Sequence, residues 1–243
     1  MVVLIAVQTS PTSAQPRAPL ASPRGLACAP RLAPDGWGPP GLVNGAPDDS
    51  IQQLFQVGDP VLVNMGRAEG VSVGTQFFTQ RLEPVANPEL RERGVALLRT
   101  TGWLRAVEID EHAALAVIEQ TCLDVRRGDH LVPFQWPEAV SAAATGTVSY
   151  DGAAATVLFG RDGRSMASAG QLLVIDHGAD QEIAPGQRLS IFRAGTRASD
   201  DPVTIIGEAV AVLVSATSST VHVTQATEPI RSGDRLAAHR AGP

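Results

Sequence analysis

The chain contains no lysine, and all 19 of its basic residues are arginine. The formal net charge is −6, and no basic cluster is larger than the pair Arg126 and Arg127. Because phosphate binding requires a concentrated positive surface, a nucleic-acid partner is not expected. Aromatic residues make up only 4% of the chain, which predicts cores built from small and β-branched side chains.

Long apolar runs are also missing, and no stretch of the sequence could cross a bilayer as a helix. Helical periodicity is weak. Only residues 87–98 carry apolar side chains at helical spacing, at Leu90, Val95 and Leu98. A mostly β protein is therefore expected.

The sequence lacks the common patterns of catalytic and metal sites. The five histidines share no ligand spacing with a carboxylate, and Cys28 and Cys122 belong to no Cys-x-x-Cys motif. No serine occupies a Gly-x-Ser-x-Gly elbow, and no glycine-rich loop before a helix could hold a phosphate. We therefore expect no enzymatic activity, no metal and no cofactor.

The dominant feature of the sequence is a stretch that occurs twice. Residues 61–81 align with residues 173–193 at a constant offset of 112. Each copy has the composition of a buried strand, a turn bounded by glycines and a second strand. The equivalent residues include Gly66 and Gly178, Val71 and Ile183, Gly74 and Gly186, and Arg81 and Arg193.

The repeat continues in a second block. Residues 102–131 align without a gap with residues 207–236 at an offset of 105, and eight of the 30 positions are identical. Chance would give about two identities. The change of offset places a seven-residue insertion in the first copy, between Leu82 and Thr101. A duplication of this length indicates two homologous modules.

The short strands and glycine-bounded turns predict an all-β fold with two tandem homologous small β-barrel modules. Each should close with about six mostly antiparallel strands, because its strand edges would otherwise be exposed. The expected organisation is a truncated signal peptide at 1–15, an extended proline-rich strap at 16–41, module 1 at 42–133, a linker at 134–156 and module 2 at 157–240.

The turn residues of the repeat are predicted to be structural. Glycine allows a positive φ before a strand, and the aspartate of each Gly-Asp pair should hydrogen-bond nearby backbone. A charged catalytic role for the two aspartates is the alternative, but their recurrence at the same turn favours the structural interpretation. The predicted turn residues are Gly66, Gly74, Gly128, Asp129, Gly178, Gly186, Gly233 and Asp234.

Each module should contain a long hairpin, with its turn at 110–112 or 215–217. Period-two alternation assigns the faces of its strands. The side chains predicted to face inward are Val107, Ile109, Ala116, Ile118, Val212, Val214, Val221 and Val223. Those predicted to face outward are Leu115, Val117, Glu119, Thr220, His222 and Thr224.

Residues 1–15 have the apolar core and small-residue exit of a secretory signal. Cleavage is expected after Ala14, although no positive charge precedes the apolar run. A disordered cytosolic start is the alternative. Residues 25–28 also resemble a lipoprotein box ending at Cys28, but Gly25 stands where a large aliphatic residue is expected.

The order of strands and glycine-based turns in the two modules resembles that of a known family. In both, a strand ends in Asn/Asp-x-Gly, two further glycine-based turns follow, and Gly-Asp-x-Leu closes the module at 128–131 and 233–236. This pattern is similar to the small β-barrel module at the C-terminus of flagellar assembly protein T, which is also found in LysM-associated envelope proteins. The tandem barrels of the rod-shape-determining protein C are a weaker match. The resemblance implies an exported, non-enzymatic β module.

These features predict an exported structural or interaction protein of the bacterial cell envelope, in the periplasm, at the outer membrane or outside the cell. Its partners would be other envelope proteins or further copies of the chain. The alternative is a module that binds peptidoglycan or another cell-wall glycan, for which Trp37, Trp103 and Trp136 are the aromatic candidates. Trp103 is replaced by Glu208 in module 2.

Cys28 and Cys122 are expected to form a disulfide. The counterpart of Cys122 in module 2 is Thr227, so the barrel itself does not require a thiol there. The other cysteine lies in the strap, and an exported chain normally oxidises a pair of cysteines. In the alternative, Cys122 packs as a small apolar side chain and Cys28 is free or lipidated.

Overall fold

The computed structural model describes residues 20–48, 52–85, 87–143, 146–148, 154–160, 163–193 and 203–240. Within these ranges the chain is almost entirely β and forms two barrel-like modules, so the predicted fold class is confirmed. The residues expected to form a signal peptide, 1–15, lie outside the described ranges.

Two short helices accompany the strands of the strap and module 1. The helices are α1 (Pro23–Ala27) and α2 (Pro88–Glu92). The strands are β1 (Arg31–Leu32), β2 (Val43–Gly45), β3 (Leu54–Phe55), β4 (Pro60–Val63), β5 (Gln76–Pro84), β6 (Ala96–Ile109), β7 (Ala114–Thr121), β8 (Val125–Arg126) and β9 (His130–Pro133).

The second half of the chain repeats this order of strands. They are β10 (Thr147–Val148), β11 (Ala155–Gly160), β12 (Met166–Ala167), β13 (Leu172–Ile175), β14 (Arg188–Arg193), β15 (Thr204–Val214), β16 (Ser219–Ala226), β17 (Ile230–Arg231) and β18 (Arg235–Arg240). Strands β2 to β9 of module 1 correspond in order to β11 to β18 of module 2.

The main sheets are antiparallel and curl on themselves. Module 1 has the strand order β2-β4-β7-β6-β5-β9, with β1 of the strap added to β6, and a single bridge joins Leu42 to His130 between its outer strands. In module 2 the ring β18-β11-β13-β16-β15-β14 closes because β14 also pairs with β18. Closure removes the unpaired strand edges that would favour aggregation.

Each module has its own aliphatic core. Val71 and Ile183, which follow the equivalent turns, are each 5% exposed and join these cores. Other members of the module 1 core are Val43, Phe55, Val61, Val63, Phe77, Leu104, Ala116, Ile118, Val125 and Leu131. Those of the module 2 core include Val157, Leu173, Ile175, Leu189, Ile191, Ile206, Val221, Val223, Ile230 and Leu236.

A β-bulge changes the face predicted for the long strand of each hairpin. Ala106 and Ala211 are the core residues there, and the register shifts directly after both of them. Val107 is 37% exposed, while Val212 is buried outside the core, beside linker residues 137–141. The two valines occupy equivalent positions, but the prediction that both face inward was wrong.

Gly66 and Gly178 are required for close packing. The backbone N–H of Arg67 donates to the carbonyl of Asp110 at 2.9 Å, and Ala179 does the same to Ser215. A Cβ on either glycine would collide with the backbone of the hairpin turn, which the chain touches at this point. Glycine is therefore needed here for its missing side chain, since neither residue has a positive φ.

The insertion of module 1 packs between the modules. In the segment with helical spacing, 87–98, only α2 is helical, because Gly94 adopts a φ of +77° and Leu97 and Leu98 pair with the strap in β6. Side chains from the two modules then share a cluster of buried residues. These are Val85, Leu90 and Leu97 of the insertion and Leu158, Phe159 and Val174 of module 2.

Strand β11 of module 2 crosses the predicted boundary between the linker and this module. This first ring strand begins at Ala155, which pairs with Leu236, and not at residue 157. Strand β10 lies within the stretch predicted as a linker, 134–156, and pairs with the end of β18. The linker therefore contributes a strand to the outside of the second barrel.

Candidate functional site

Cys28 and Cys122 form the predicted disulfide, with their Cα atoms 5.5 Å apart. Cys28 caps the C-terminus of α1, and Cys122 follows the last residue of β7. Ser22 caps the N-terminus of α1, because its hydroxyl accepts a hydrogen bond from the backbone N–H of Gly25. The bond thus fixes the strap, which was predicted to be extended, through a short helix.

The strap contacts both modules. Ala27 of α1 packs on module 1 with Phe78 and Trp103, and Arg31 pairs with Leu98 in β6. On the other side, the hydroxyl of Thr220 in β16 donates a hydrogen bond to the carbonyl of Pro30 at 2.6 Å. Thr220, predicted to face outward from its barrel, is buried by the strap. The disulfide therefore holds a segment that joins the two barrels.

A cleft of about 490 Å³ lies beside the disulfide. Cys28 and Arg24 of the strap, Cys122 of module 1 and Gln171 and His222 of module 2 line it. Partial burial lowers the pKa of His222 below its usual value, so the imidazole favours its neutral form. The cleft lies where the strap and both modules meet.

An aromatic cluster covers the outer face of module 1 next to the disulfide. Phe78 lies edge-on to Trp103 with ring centroids 5.9 Å apart, and Phe134 packs on Phe78 at 4.5 Å. Trp136 completes the cluster, 5.2 Å from Trp103 and 5.1 Å from Phe134. Trp103 is 5% exposed, whereas Trp136 is 45% exposed. Trp136 is therefore the member of the cluster whose ring a ligand can reach.

A row of polar side chains borders the aromatic cluster. The carboxylate of Glu119 in β7 accepts hydrogen bonds from Gln76 in β5 and from Arg105 in β6. Gln76 and Arg105 are register partners, and each lies two residues along its strand from Phe78 or Trp103. Residues two apart on a strand share a face, so the polar row and the aromatic cluster form one continuous surface.

The equivalent surface of module 2 is polar. Ser190, Glu208 and His239 occupy the positions of Phe78, Trp103 and Phe134. The hydroxyl of Ser190 lies 2.9 Å from Nε2 of His239, and burial lowers the pKa of this histidine. Nδ1 of His239 has no hydrogen-bond partner among the described residues. Glu208 instead contacts Arg188, so the serine and histidine lack the carboxylate that a hydrolytic triad would place on Nδ1.

The Gly-Asp turns are structural anchors in both modules. Asp129 accepts hydrogen bonds from the backbone of Arg126 and the hydroxyl of Thr101, and Asp234 accepts one from the backbone of Arg231. Burial raises the pKa of Asp129, despite these bonds and the nearby charge of Arg81. The preceding glycines, Gly128 and Gly233, have φ values of +87° and +92°.

The remaining predicted turn residues also lie where the backbone needs glycine. Gly74 has a φ of +91° and Gly186 a φ of +84°, each just before a long strand. None of the predicted turn glycines lines the cleft beside the disulfide, and they shape the turns of the barrels.

Within the described ranges, no group of three or more His, Cys, Asp or Glu side chains could hold a metal ion. No helix found there is long and apolar enough to span a bilayer.

Sequence reasoning identified two of the aromatic residues but not their cluster. Trp103 and Trp136 were candidates, whereas Phe78 and Phe134 were not, and the candidate Trp37 packs against His130 elsewhere on module 1. The pairing of Arg81 with Asp129 and of Arg193 with Asp234 was also missed. The signal was present in the sequence, because both members of each pair recur at equivalent positions of the repeat.

No protein-family model and no curated protein matches the chain.

Proposed function

We propose that the chain is an exported, non-enzymatic structural or interaction protein of the bacterial cell envelope. The observation that supports this proposal best is the disulfide between Cys28 and Cys122. Disulfides persist in oxidising compartments such as the periplasm and are rare in the cytosol. The bond also holds the strap, which contacts both modules. In this proposal the oxidised form therefore has a defined role, because it fixes the segment that joins the two barrels.

The partners proposed for this protein are other envelope proteins or further copies of the chain. The resemblance of both modules to the small barrel of flagellar assembly protein T and LysM-associated envelope proteins is consistent with this role. In this proposal the barrels serve as rigid surfaces for assembly, and no reaction is assigned to them.

Cell fractionation tests the proposal directly. The full-length chain is expressed from its native gene in a Gram-negative host, and its free thiols are titrated in the periplasmic and cytoplasmic fractions. We expect the protein outside the cytoplasm, with both thiols oxidised. The variant Cys28→Ser controls for thiol labelling, since it leaves Cys122 free. A product found only in the cytoplasm with two reactive thiols contradicts the proposal.

A second candidate function is binding of a cell-wall glycan. The observation that favours it is the exposure of Trp136 above the aromatic cluster, because a pyranose ring stacks its C–H face on an accessible aromatic ring. Co-sedimentation with purified peptidoglycan sacculi tests this function. Recovery of the protein in the supernatant at every sacculus concentration would remove this candidate and leave the export proposal intact.

A further inference from the structure

The exposed ring of Trp136 has a fixed position. Trp103 and Phe134 both contact it edge-on, with interplanar angles of 79° and 80°. Phe134 is itself held by packing on Phe78 and by a backbone hydrogen bond from its N–H to the carbonyl of Gln76. A ring fixed in this way loses little conformational entropy when a ligand stacks on it.

The polar groups that border the aromatic cluster are planar and already aligned. One carboxylate oxygen of Glu119 accepts a hydrogen bond from Gln76, and the other accepts one from Arg105. The three side chains are therefore held in a row across β5, β6 and β7. The side chain of Arg105 is 44% exposed and that of Glu119 is 28% exposed. They can therefore reach a ligand without repacking, and they offer both donors and acceptors.

We propose that Trp136, with Gln76, Arg105 and Glu119, forms a saccharide-binding site on the outer face of module 1. Trp136 stacks on the apolar face of one sugar ring, and the polar row hydrogen-bonds the hydroxyl groups of that ring or its neighbour. This inference rests on the second candidate function and assigns it to residues. A glycan requires this combination, because each of its rings presents an apolar face and an edge of hydroxyl groups.

The surface suits a saccharide better than a peptide. A peptide strand would require a free sheet edge, but β5 lies between β6 and β9, and β6 lies between β5 and β7. A proline-rich peptide would require a groove between exposed aromatic rings. Here Trp103 is 5% exposed and Phe78 is 6% exposed, so Trp136 stands as a single platform.

The site should exist in module 1 alone. In module 2 the counterparts of Phe78 and Trp103 are Ser190 and Glu208, and the counterpart of Arg105 is Val210. Val210 is buried, and its neighbour Arg188 donates a hydrogen bond to the linker at Ala143. One site per chain is therefore expected.

Binding to peptidoglycan sacculi tests the assignment on the full chain. We expect Trp136→Ala and Arg105→Ala each to weaken binding at least about tenfold, and Trp136→Phe to retain part of it. The control is Arg67→Ala, since Arg67 is an exposed arginine of the same module that pairs with Glu111 away from the site. Thermal melting checks that all four variants remain folded.

The possible outcomes distinguish a wrong site from a wrong function. If the wild type binds sacculi and Trp136→Ala binds equally well, the glycan function stands and this site is wrong. If the wild type does not bind sacculi, both are wrong. If a proline decamer quenches the fluorescence of the wild type but not of Trp136→Phe, and soluble chito-oligosaccharides quench neither, the surface is a peptide site and the proposal is overturned.

Discussion

Arg193 holds Asp234 with two hydrogen bonds of 2.8 Å, one to each carboxylate oxygen. The equivalent pair of module 1 is looser, since Nη1 of Arg81 approaches Asp129 at 3.3 Å. These hydrogen bonds raise the pKa of Arg193 above its usual value. The same turn is therefore stabilised by a bidentate ion pair in module 2 and mainly by hydrogen bonds from uncharged donors in module 1.

Replacement of each aspartate by asparagine should distinguish the two turns. Asp234→Asn removes a charged partner of Arg193 and should lower the free energy of unfolding by about 2 kcal/mol. Asp129→Asn should cost less than about 1 kcal/mol, because Asp129 mainly accepts bonds from Thr101 and the backbone. Urea denaturation measures both values. Equal losses in the two variants would contradict the difference between the turns.

Removal of the disulfide should free the strap. Closing a 94-residue separation stabilises the fold by up to about 4 kcal/mol, so Cys28→Ala combined with Cys122→Ala should unfold at lower denaturant concentration. Trypsin should also cleave the variant faster after Arg24, which is exposed in α1. The oxidised wild type is the control in both assays. Unchanged cleavage at Arg24 would show that packing alone holds the strap.

Alanine at Gly66 should be strongly destabilising. The added Cβ would collide with three backbone atoms of the hairpin turn, at Asp110, Glu111 and Ala113, and backbone cannot move aside as a side chain can. We expect a loss of about 2–4 kcal/mol. Gly38→Ala is the matched control, because nothing lies within 4 Å of its Cβ position. Similar melting temperatures for the two variants would contradict this account.

Glycine at residue 182 should stabilise module 2. Glu182 has a φ of +62°, and it is the counterpart of Gly70, which has a φ of +82°. Glu182→Gly relieves this backbone strain at the cost of an exposed ion pair with Arg240, for a net gain of about 0.5 kcal/mol. Conversely, Gly70→Ala should cost about 1 kcal/mol. Calorimetry that shows Glu182→Gly to be less stable than the wild type would refute the strain.

Stability should fall as the pH decreases below about 6.5. Burial lowers the pKa of His222 and His239 in the folded state. The unfolded chain therefore takes up protons at a higher pH than the folded chain, so the stabilisation is complete above the unfolded pKa and decreases below it. His222→Val introduces the module 1 residue, Val117, and His239→Phe introduces Phe134.

Both substitutions should flatten the dependence of melting temperature on pH between about 7.5 and 5. The variant with both substitutions should show a smaller slope of melting temperature against pH than either single variant. An unchanged slope would assign the acid sensitivity to other groups.

The sequence predicted the features that are local or repeated. Period-two alternation predicted the two hairpin turns and four inward positions, and the structure agrees with both. The turns are at 110–112 and 215–217, and the inward residues are Ala116, Ile118, Val221 and Val223. The disulfide followed from a count of two cysteines, since Cys122 has no cysteine counterpart in module 2 and Cys28 lies in the strap. These inferences need only the alignment of the two modules and the geometry of a strand.

The face of Val107 could not be predicted, because it depends on a bulge. One extra residue in β6 shifts the pairing between Ala106 and Glu108, and a shift of one residue moves a side chain to the other face of the sheet. A bulge forms where the twist of the whole sheet requires it. Local sequence does not mark that point.

By itself, the sequence determined that the chain is a duplicated β protein with glycine at fixed turns, since repetition and strand periodicity can be recognised from the order of the residues alone. The tertiary structure decided how distant segments meet. It placed α1 against Trp103, joined the insertion at Leu90 to Phe159 of module 2, and brought Phe78 and Trp136 onto one surface. These contacts join segments far apart in sequence, and side-chain packing selects them because it excludes water from apolar surface.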